Sequence, residues 1–228
     1  MYALLDWDGT LRFGATVYAW MDFLYERGLL AQEIMDERHR LSQLHQKGEI
    51  SHDNLAKRAN QNYLNGVKGM TWENYQRYAE EFWQLDPGPS IPSTQVVCEW
   101  MRQKGIEPAV ISGSTVYLLK PHLEQMGVKT VFALREEISE GVLTGRPVED
   151  WGHAKLEAVE KCRSIYGEAP VLAMGDSESD TPLLDTARIR IVVGDNERVL
   201  ARYEGALGVS RDEAGAKKLA GYLAGLDL

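Results

Sequence analysis

The sequence predicts an α/β protein in which helices cover both faces of a parallel sheet. From Ser93 onward, short apolar strands alternate with helical segments, about one strand per unit, which is typical of such sheets. The region 14–85 shows helical periodicity and no good strand signal. Tyr2–Leu5 reads as a short buried strand before it. We therefore expect a helical bundle inserted after the first strand of the sheet.

The inserted region divides into four predicted helices, separated by glycine and polar residues. They span Thr16 to a C-cap at Gly28, Ala31–Lys47, about 54–64 after an N-cap at Ser51, and about 71–84. The breaker-rich segment 86–92 closes the region. Tryptophans at helical spacing are more typical of a bundle core than of a ligand-stacking surface, and we expect that role for Trp20, Trp72 and Trp83.

The remaining elements follow the alternating pattern. Strands are predicted at 108–111, 129–133, 171–174 and 189–193, and a hairpin turns at Glu140-Gly141 within 138–145. Helices are predicted at 93–104, 116–126, 152–166, 182–187, 197–203 and 212–223.

Composition excludes several classes of protein. The 228 residues are 44% hydrophobic and 26% charged, as in an ordinary globular protein. A net charge of -9 argues against binding nucleic acid or an anionic membrane surface. The two cysteines, Cys98 and Cys162, lack metal-ligand spacing and form no disulfide framework. With neither a leader pattern nor a membrane-spanning run, the expectation is a soluble cytoplasmic protein.

Polar side chains follow three of the predicted strands where each strand ends. Asp6, Asp8 and Thr10 follow the first strand, the segment 112–115 follows the second, and Gly175 to Asp180 follow another. Ligands of open α/β sheets bind outside the carboxyl ends of the strands. We therefore expect these groups to form one site, although solvated turn carboxylates are the ordinary alternative for an isolated pair.

The chemistry of these groups favours a divalent cation and a phosphoryl group. Four aspartates follow the strands at this edge, namely Asp6, Asp8, Asp176 and Asp180. Their charges would repel each other without a cation, and hard oxygen ligands suit Mg²⁺. Ser112 and Lys155 supply a hydroxyl and a cation that fit phosphoryl oxygens. The inferred reaction is phosphoryl transfer, in which Asp6 and Asp8 divide the roles of nucleophile and proton carrier.

These segments resemble, in order, the motifs of the haloacid dehalogenase-like hydrolases. The matching residues are Asp6-Trp-Asp8-Gly-Thr10, Ile111-Ser112-Gly113, Lys155 and Gly175-Asp176-x-x-x-Asp180. The hairpin before Lys155 is similar to the phosphoserine phosphatase-like branch. The second aspartate, Asp8, points to phosphate esters because dehalogenases of this superfamily lack it.

The resemblance implies a Rossmann-like core and a helical cap. The core would comprise residues 1–12 and 89–228, and the cap residues 13–88. Asp6 would be the nucleophile and Asp8 the general acid/base. Mg²⁺ would be held by Asp6, the Asp8 backbone carbonyl and Asp176, with support from Asp180. Phosphate would be bound by the remaining motif residues, namely Thr10, Ser112, Gly113 and Lys155.

The substrate implied is a small phosphorylated metabolite. Phosphoserine phosphatases carry an acidic residue shortly after the first motif, whereas residues 14–16 here are Gly-Ala-Thr. Arg58 is the candidate for a cap arginine that binds a substrate carboxylate. The main hypothesis is a Mg²⁺-dependent phosphatase working through an aspartyl-phosphate on Asp6. A regulatory protein that binds a phosphorylated ligand without turnover, and a phosphotransferase, are the alternatives.

Overall fold

A seven-stranded sheet forms the centre of the molecule, in the order β4-β3-β2-β1-β5-β6-β7. The structure, a computed structural model, describes residues 1–85, 88–194 and 196–227. Neighbouring strands are parallel except for β3 and β4, which form an antiparallel hairpin. The strands are β1 (Tyr2–Leu5), β2 (Glu107–Thr115), β3 (Thr130–Ser139), β4 (Val142–Glu149), β5 (Leu172–Gly175), β6 (Ile189–Val193) and β7 (Leu207–Val209). The predicted α/β fold with a Rossmann-like sheet is confirmed.

Helices cover both faces of this sheet. In the described part of the chain they are α1 (Thr16–Glu26), α2 (Gln32–Gln46), α3 (His52–Val67), α4 (Trp72–Leu85), α5 (Pro92–Lys104), α6 (Val116–Gln125), α7 (Lys155–Tyr166), α8 (Thr181–Thr186), α9 (Glu197–Leu200) and α10 (Glu213–Ala224). A single 3-10 turn, Glu178–Asp180, precedes α8. Within the described residues, none of the helices is both long and apolar enough to cross a bilayer.

The strand β1 lies at the centre of the core because both of its faces are apolar. Side chains alternate along a strand, so Ala3 and Leu5 pack with α5, α6 and α10, whereas Tyr2 and Leu4 pack with α7 and α8. All four residues are fully buried. Such a continuous apolar run is what a central parallel strand requires.

The four helices α1 to α4, here called the helical insert, pack around their own apolar cluster. Trp20 is fully buried there, and Trp72 and Trp83 are partly buried against it, as expected for core tryptophans. The cluster continues into Leu134 of β3 and Leu143 of β4. The insert therefore rests on the hairpin edge of the sheet. The division into residues 13–88 and a two-part core stays a prediction.

A buried carboxylate joins the insert to the sheet. Glu136 of β3 accepts hydrogen bonds from the hydroxyls of Tyr63 in α3 (2.7 Å) and Tyr75 in α4 (2.8 Å). Its other oxygen accepts one from Thr115, at the end of β2 (2.8 Å). Burial, and then the charge of Glu136, raise the pKa of both tyrosines well above the ordinary value, so both remain donors.

Several predicted boundaries differ from the structure. The second strand was expected to end at residue 111, but β2 continues to Thr115 through a break in its register with β3. The short strand β7 was missed because three residues carry too little periodicity to detect. The hairpin turn is confirmed, with positive φ at both Glu140 and Gly141. Asp86 and Pro87, which begin the predicted breaker segment, lie outside the described residues.

Candidate active site

The register of the sheet brings three polar strand ends together. Leu5 of β1 is paired with Val110 of β2 on one side and with Met174 of β5 on the other. The residues that follow these positions therefore emerge side by side at the carboxyl edge, where open α/β sheets bind ligands. Asp6 extends this alignment, because its backbone N–H donates to the carbonyl of Met174 (3.0 Å).

Asp6 and Lys155 form a buried ion pair at this edge. The Lys155 Nζ donates to Asp6 Oδ1 (2.8 Å) and to Asp180 Oδ1 (2.5 Å), and the Thr10 hydroxyl donates to Asp6 Oδ2 (2.8 Å). Burial, and then repulsion from Asp180, raise the pKa of Asp6 well above its usual value. Burial disfavours the charge of Lys155, but attraction by Asp180 and Asp6 outweighs it and raises the Lys155 pKa. One ammonium is thus shared between two carboxylates.

Asp180 is the structural member of this group. Its side chain is fully buried, and its Oδ2 accepts hydrogen bonds from the backbone N–H groups of Asp176 and Ser177 (both 2.9 Å). Burial opposes its charge, but Lys155 and these N–H groups together lower the pKa of Asp180. Lys155 is the first residue of α7, a position where a cation is unfavourable in the helix dipole. The two carboxylates therefore compensate for its placement.

Asp8 is held by residues that lie outside the sequence motifs. Its Oδ1 accepts hydrogen bonds from the backbone N–H (2.8 Å) and hydroxyl (2.6 Å) of Thr16, and its Oδ2 accepts one from the Ser114 hydroxyl (2.7 Å). The Trp7 indole N–H donates to the Thr16 Oγ1 (3.1 Å). Because an indole can only donate, the Thr16 hydroxyl must direct its own hydrogen at Asp8. Burial raises the pKa of Asp8 despite these hydrogen bonds.

Asp176 is paired with a cation from the far end of the chain. Arg211 donates through Nη2 to Asp176 Oδ2 (2.8 Å) and through Nε to the backbone carbonyl of Gly9 (2.7 Å). A side chain at Gly9 would overlap with the Asp176 carboxylate, and one at Gly194 would meet the guanidinium 2.7 Å away. Burial, and then the charge of Asp180, raise the pKa of Asp176 to about 7, although Arg211 opposes the shift.

Three carboxylates here are close enough to bind one ion. Oxygen atoms of Asp6, Asp176 and Asp180 lie within 4.8 Å of one another. Hard oxygen donors suit Mg²⁺, and the pKa values of Asp6 and Asp176 are raised first by burial and then by repulsion from the charge of Asp180. A divalent cation would relieve that repulsion, so the donor set fits the implied metal.

A cavity of about 320 Å³ opens beside these groups. One wall, here called the charged wall, consists of Asp6, Asp8, Lys155 and Asp176. The opposite wall, here called the insert wall, is formed by α1 and α3 and consists of Val17, Tyr18, His52, Leu55, Ala56, Ala59 and Asn60. The volume suits a small molecule held between the sheet edge and the insert.

The sequence-predicted site residues do not all reach this cavity. Gly113 and Lys155 line it. Thr10 and Ser112 lie behind it: Thr10 is fully buried against Asp6, and the Ser112 hydroxyl accepts a hydrogen bond from the Ser114 N–H (3.0 Å). Arg58 is not among the lining residues, because it lies on an exposed side of α3 and pairs with Glu37 (3.4 Å). The structure does not support Arg58 as a substrate clamp.

Several residues of the site were missed by sequence reasoning. Ser114 belongs to the polar segment at the end of β2, so its position was visible although its contact was not. Thr16 begins α1, and His52 begins α3. Arg211 follows the undetected strand β7, and nothing in its local sequence connects it with Asp176.

Comparisons with known proteins find a matching family and structures with the same fold. The haloacid dehalogenase-like hydrolase family matches residues 3–185. A protein with unknown function from Bordetella pertussis Tohama I has a TM-score of 0.75 at 21% identity, covering 92% of this chain and 98% of its own. A phospho-aspartyl intermediate analogue of phosphoserine phosphatase has a TM-score of 0.67 at 18% identity, covering 97% of both chains.

A third similar structure is a phosphoserine phosphohydrolase-like protein from Francisella tularensis subsp. tularensis SCHU S4. Its TM-score is 0.69 at 17% identity, and the alignment covers 96% of this chain and 98% of that one. The comparison with curated proteins found no match. Structural likeness at this identity shows the fold, whereas the family match over most of the sequence shows descent. This chain belongs to the haloacid dehalogenase-like hydrolases.

Proposed function

We propose that this chain is a Mg²⁺-dependent phosphatase that hydrolyses a small phosphomonoester through an aspartyl-phosphate on Asp6. The observation that carries the proposal is the pairing of Asp6 with Lys155 at 2.8 Å on a cavity wall, beside an independently held Asp8. Membership of a hydrolase family supports it. Several similar structures are phosphoserine phosphatases, one with a phospho-aspartyl analogue.

In the first step, a carboxylate oxygen of Asp6 attacks phosphorus and forms a new phosphorus–oxygen bond. The bond from phosphorus to the ester oxygen breaks, and its electron pair stays on the leaving oxygen. Asp8 gives that oxygen a proton, so the alcohol leaves neutral. Because Thr16 and Ser114 bind both oxygens of Asp8, the carboxyl group is oriented before the substrate arrives.

In the second step, water replaces the alcohol. Asp8, now a carboxylate, takes a proton from water while the water oxygen attacks the phosphorus of the acyl-phosphate. The bond between phosphorus and Asp6 breaks, and inorganic phosphate leaves. The Asp6 carboxylate is restored, and the proton on Asp8 is available for another ester.

Charge balance comes from Lys155 and the implied metal. The Lys155 ammonium would stabilise the phosphoryl oxygens and hold Asp6 in place. Asp6, Asp176 and the backbone carbonyl of Asp8 would hold Mg²⁺, with Asp180 in support. When bound, Mg²⁺ supplies positive charge that offsets the charge of the phosphoryl group. We propose that residues 13–88 act as a cap that closes this cavity and excludes water.

The direct test is hydrolysis of 4-nitrophenyl phosphate. We expect turnover with Mg²⁺, loss of turnover with excess EDTA, and recovery when Mg²⁺ is restored. Asp6→Asn keeps the size of the side chain and removes the nucleophile, so its activity should fall by at least about 10³-fold. Undiminished turnover in Asp6→Asn would refute the assigned nucleophile.

Two controls separate this result from a folding defect and from the alternatives. Asp6→Asn should retain the wild-type circular dichroism spectrum and should still bind phosphate. Phosphate binding without turnover by the wild-type protein, across aryl and alkyl esters, would support the regulatory alternative instead. Transfer of phosphate to an added alcohol in preference to water would support the phosphotransferase.

A further inference from the structure

The insert wall presents one face of α3 to the cavity. His52, Leu55, Ala56, Ala59 and Asn60 all line the cavity. Their spacing of three, four, seven and eight residues from His52 places them along a single helical stripe. The chemistry of this stripe therefore determines which leaving group fits opposite the phosphoryl site.

Among the described residues of the insert, none that lines the cavity is a carboxylate, lysine or arginine. The polar side chains that the insert contributes to the lining are Tyr18, His52 and Asn60. Loss of solvent around the ring, and then the charge of Lys155, lower the pKa of His52, and burial raises the pKa of Tyr18. Asn60 is an amide whose Nδ2 donates to Asp150 Oδ1 (2.8 Å). The surface is largely apolar, with a few neutral hydrogen-bonding groups.

The nearby arginines of the insert are paired on the outside of the cavity. Arg58 lies 3.4 Å from Glu37, and Arg38 lies 2.7 Å from Asp22. Neither arginine lines the cavity. A substrate carboxylate facing the insert wall would therefore lose water without gaining an arginine partner from these two positions, which is costly.

The carboxylates of the charged wall are already bound by other groups of the protein, Asp176 by Arg211. Asp6 is engaged by Thr10 and Lys155, and Asp8 by Thr16 and Ser114. Both belong to the phosphoryl end of the cavity. An ammonium beside Leu55 and Ala56 would instead contact apolar atoms and lose its hydration.

We propose that the substrate is a phosphomonoester whose leaving alcohol carries no charge and is largely apolar, which excludes a zwitterionic amino-acid ester. This inference rests on the proposed function and specifies its substrate class. The insert wall selects by desolvation: an uncharged alkyl or aryl group gains apolar contact, whereas an ionised group loses water without a partner. His52 and Asn60 provide the polar contacts for a hydroxyl or ether oxygen.

The test uses two esters of equal size that differ by one group. In n-propyl phosphate a methyl group occupies the place of the ammonium of O-phosphoethanolamine. We expect kcat/KM to be at least about tenfold higher for n-propyl phosphate, and O-phosphoserine to be poorer still. Equal rates, or a preference for either amine, would overturn the inference while leaving the proposed phosphatase intact.

A matched pair of variants tests whether the insert wall is the source of the selectivity between the two esters. Ala56→Asp places a carboxylate on the stripe and should shift the ratio of kcat/KM at least about tenfold toward O-phosphoethanolamine. Ala56→Asn has nearly the same shape without the charge and should leave the ratio close to wild type. Lys57→Ala, at the exposed neighbouring position, should also leave it unchanged. An unchanged ratio in a folded Ala56→Asp protein would overturn the assignment to this wall.

Failure of the proposed function gives a different result. If neither these esters nor 4-nitrophenyl phosphate is hydrolysed with Mg²⁺, the phosphatase proposal is overturned. The selectivity can then be measured as binding of the same two alkyl esters by calorimetry. Tighter binding of n-propyl phosphate would support an uncharged ligand class, and equal binding would overturn it.

Discussion

The charged wall and the insert wall face the same cavity but are held in different ways. Each carboxylate of the charged wall is bound by groups distant in sequence: Lys155 holds Asp6, and Arg211 holds Asp176. The insert wall is mostly a stripe on one helix, α3, whose spacing alone places its residues together. The chemistry that we propose at the charged wall therefore depends on tertiary contacts, whereas the selectivity that we propose at the insert wall depends on local side chains. Substitutions in the two walls should therefore differ in whether they change turnover or substrate selectivity.

The largest effect is expected from removing the central cation of the charged wall. Lys155→Met keeps the length of the side chain but leaves Asp6 and the fully buried Asp180 without their shared partner. We expect kcat to fall by about 10² to 10³-fold. We also expect the free energy of unfolding to fall by about 3 kcal/mol, because a buried carboxylate loses its ion pair. Phosphatase kinetics and urea denaturation measure the two effects.

Lys161→Met is the matched control, because it removes the same charge from an exposed position of the same helix. It should leave kcat unchanged and lower the free energy of unfolding by at most about 1 kcal/mol, because its ammonium lies 5.5 Å from the centroid of the Trp151 ring. A normal kcat in the Lys155→Met protein would show that Lys155 has no catalytic role in the charged wall.

The next effect concerns the residue that holds Asp176. Arg211→Gln removes the bonds to Asp176 Oδ2 and to the Gly9 carbonyl. Because such outer partners orient metal ligands, we expect the Kd for Mg²⁺ to rise by about tenfold. Calorimetric titration of the protein with Mg²⁺ measures this without turnover. The control is Lys217→Gln, which removes an equal charge at an exposed position of α10. Tighter Mg²⁺ binding in Arg211→Gln would show instead that the guanidinium competes with the ion.

A smaller effect is expected where α1 and β2 orient Asp8. Ser114→Ala removes the hydrogen bond to Asp8 Oδ2 but leaves both bonds from Thr16. We expect kcat/KM for n-propyl phosphate, whose alkoxide needs a proton to leave, to fall by about tenfold. The fall in kcat/KM for 4-nitrophenyl phosphate should be much smaller, because this ratio reports the steps up to departure of the leaving group and nitrophenolate leaves without a proton. Equal losses on both esters would indicate a general structural defect and contradict the positioning role.

The smallest effect on activity is expected from the hydrogen bonds to Glu136 that join the helical insert to the sheet. Tyr75→Phe removes one of the hydroxyls that hold Glu136, while Tyr63 and Thr115 remain. We expect the free energy of unfolding to fall by about 1 to 2 kcal/mol and kcat/KM to change by less than about twofold. Tyr78→Phe, on the same helix, is the control. A large loss of activity in Tyr75→Phe would show that the docking of the insert also governs the charged wall.

Much of the charged wall was predictable because each of its motifs is local. The spacing of Asp6 and Asp8 at the end of an apolar strand, and of Asp176 and Asp180 after another, identified the edge of the sheet where they meet. Lys155 was predicted from its place in the order of motifs. The individual contacts were not predictable: the Thr10 hydroxyl donates to Asp6, and its role at phosphate stays a prediction.

The helical insert illustrates the same limit. Periodicity predicted its four helices and the core role of Trp20, because burial repeats with the helical turn. It did not predict the rotation of α3, which turns Ala56 toward the cavity and Arg58 toward Glu37. Both residues lie in the same helix, and the packing of that helix against α2 and β4 determines which side faces the cavity.

The sequence by itself determined the class of the fold, the edge of the sheet where the motif residues meet and the aspartates that we propose for the chemistry. These follow from alternation, strand-end position and motif order, all of which are written in short stretches of chain. The tertiary structure alone decided that Arg211 meets Asp176, that Ser114 and Thr16 hold Asp8, and that no carboxylate, lysine or arginine is among the described residues of the insert wall. The physical reason is separation: partners as far apart as Gly9 and Arg211 leave no local signal, because only the folded sheet brings them within hydrogen-bonding distance.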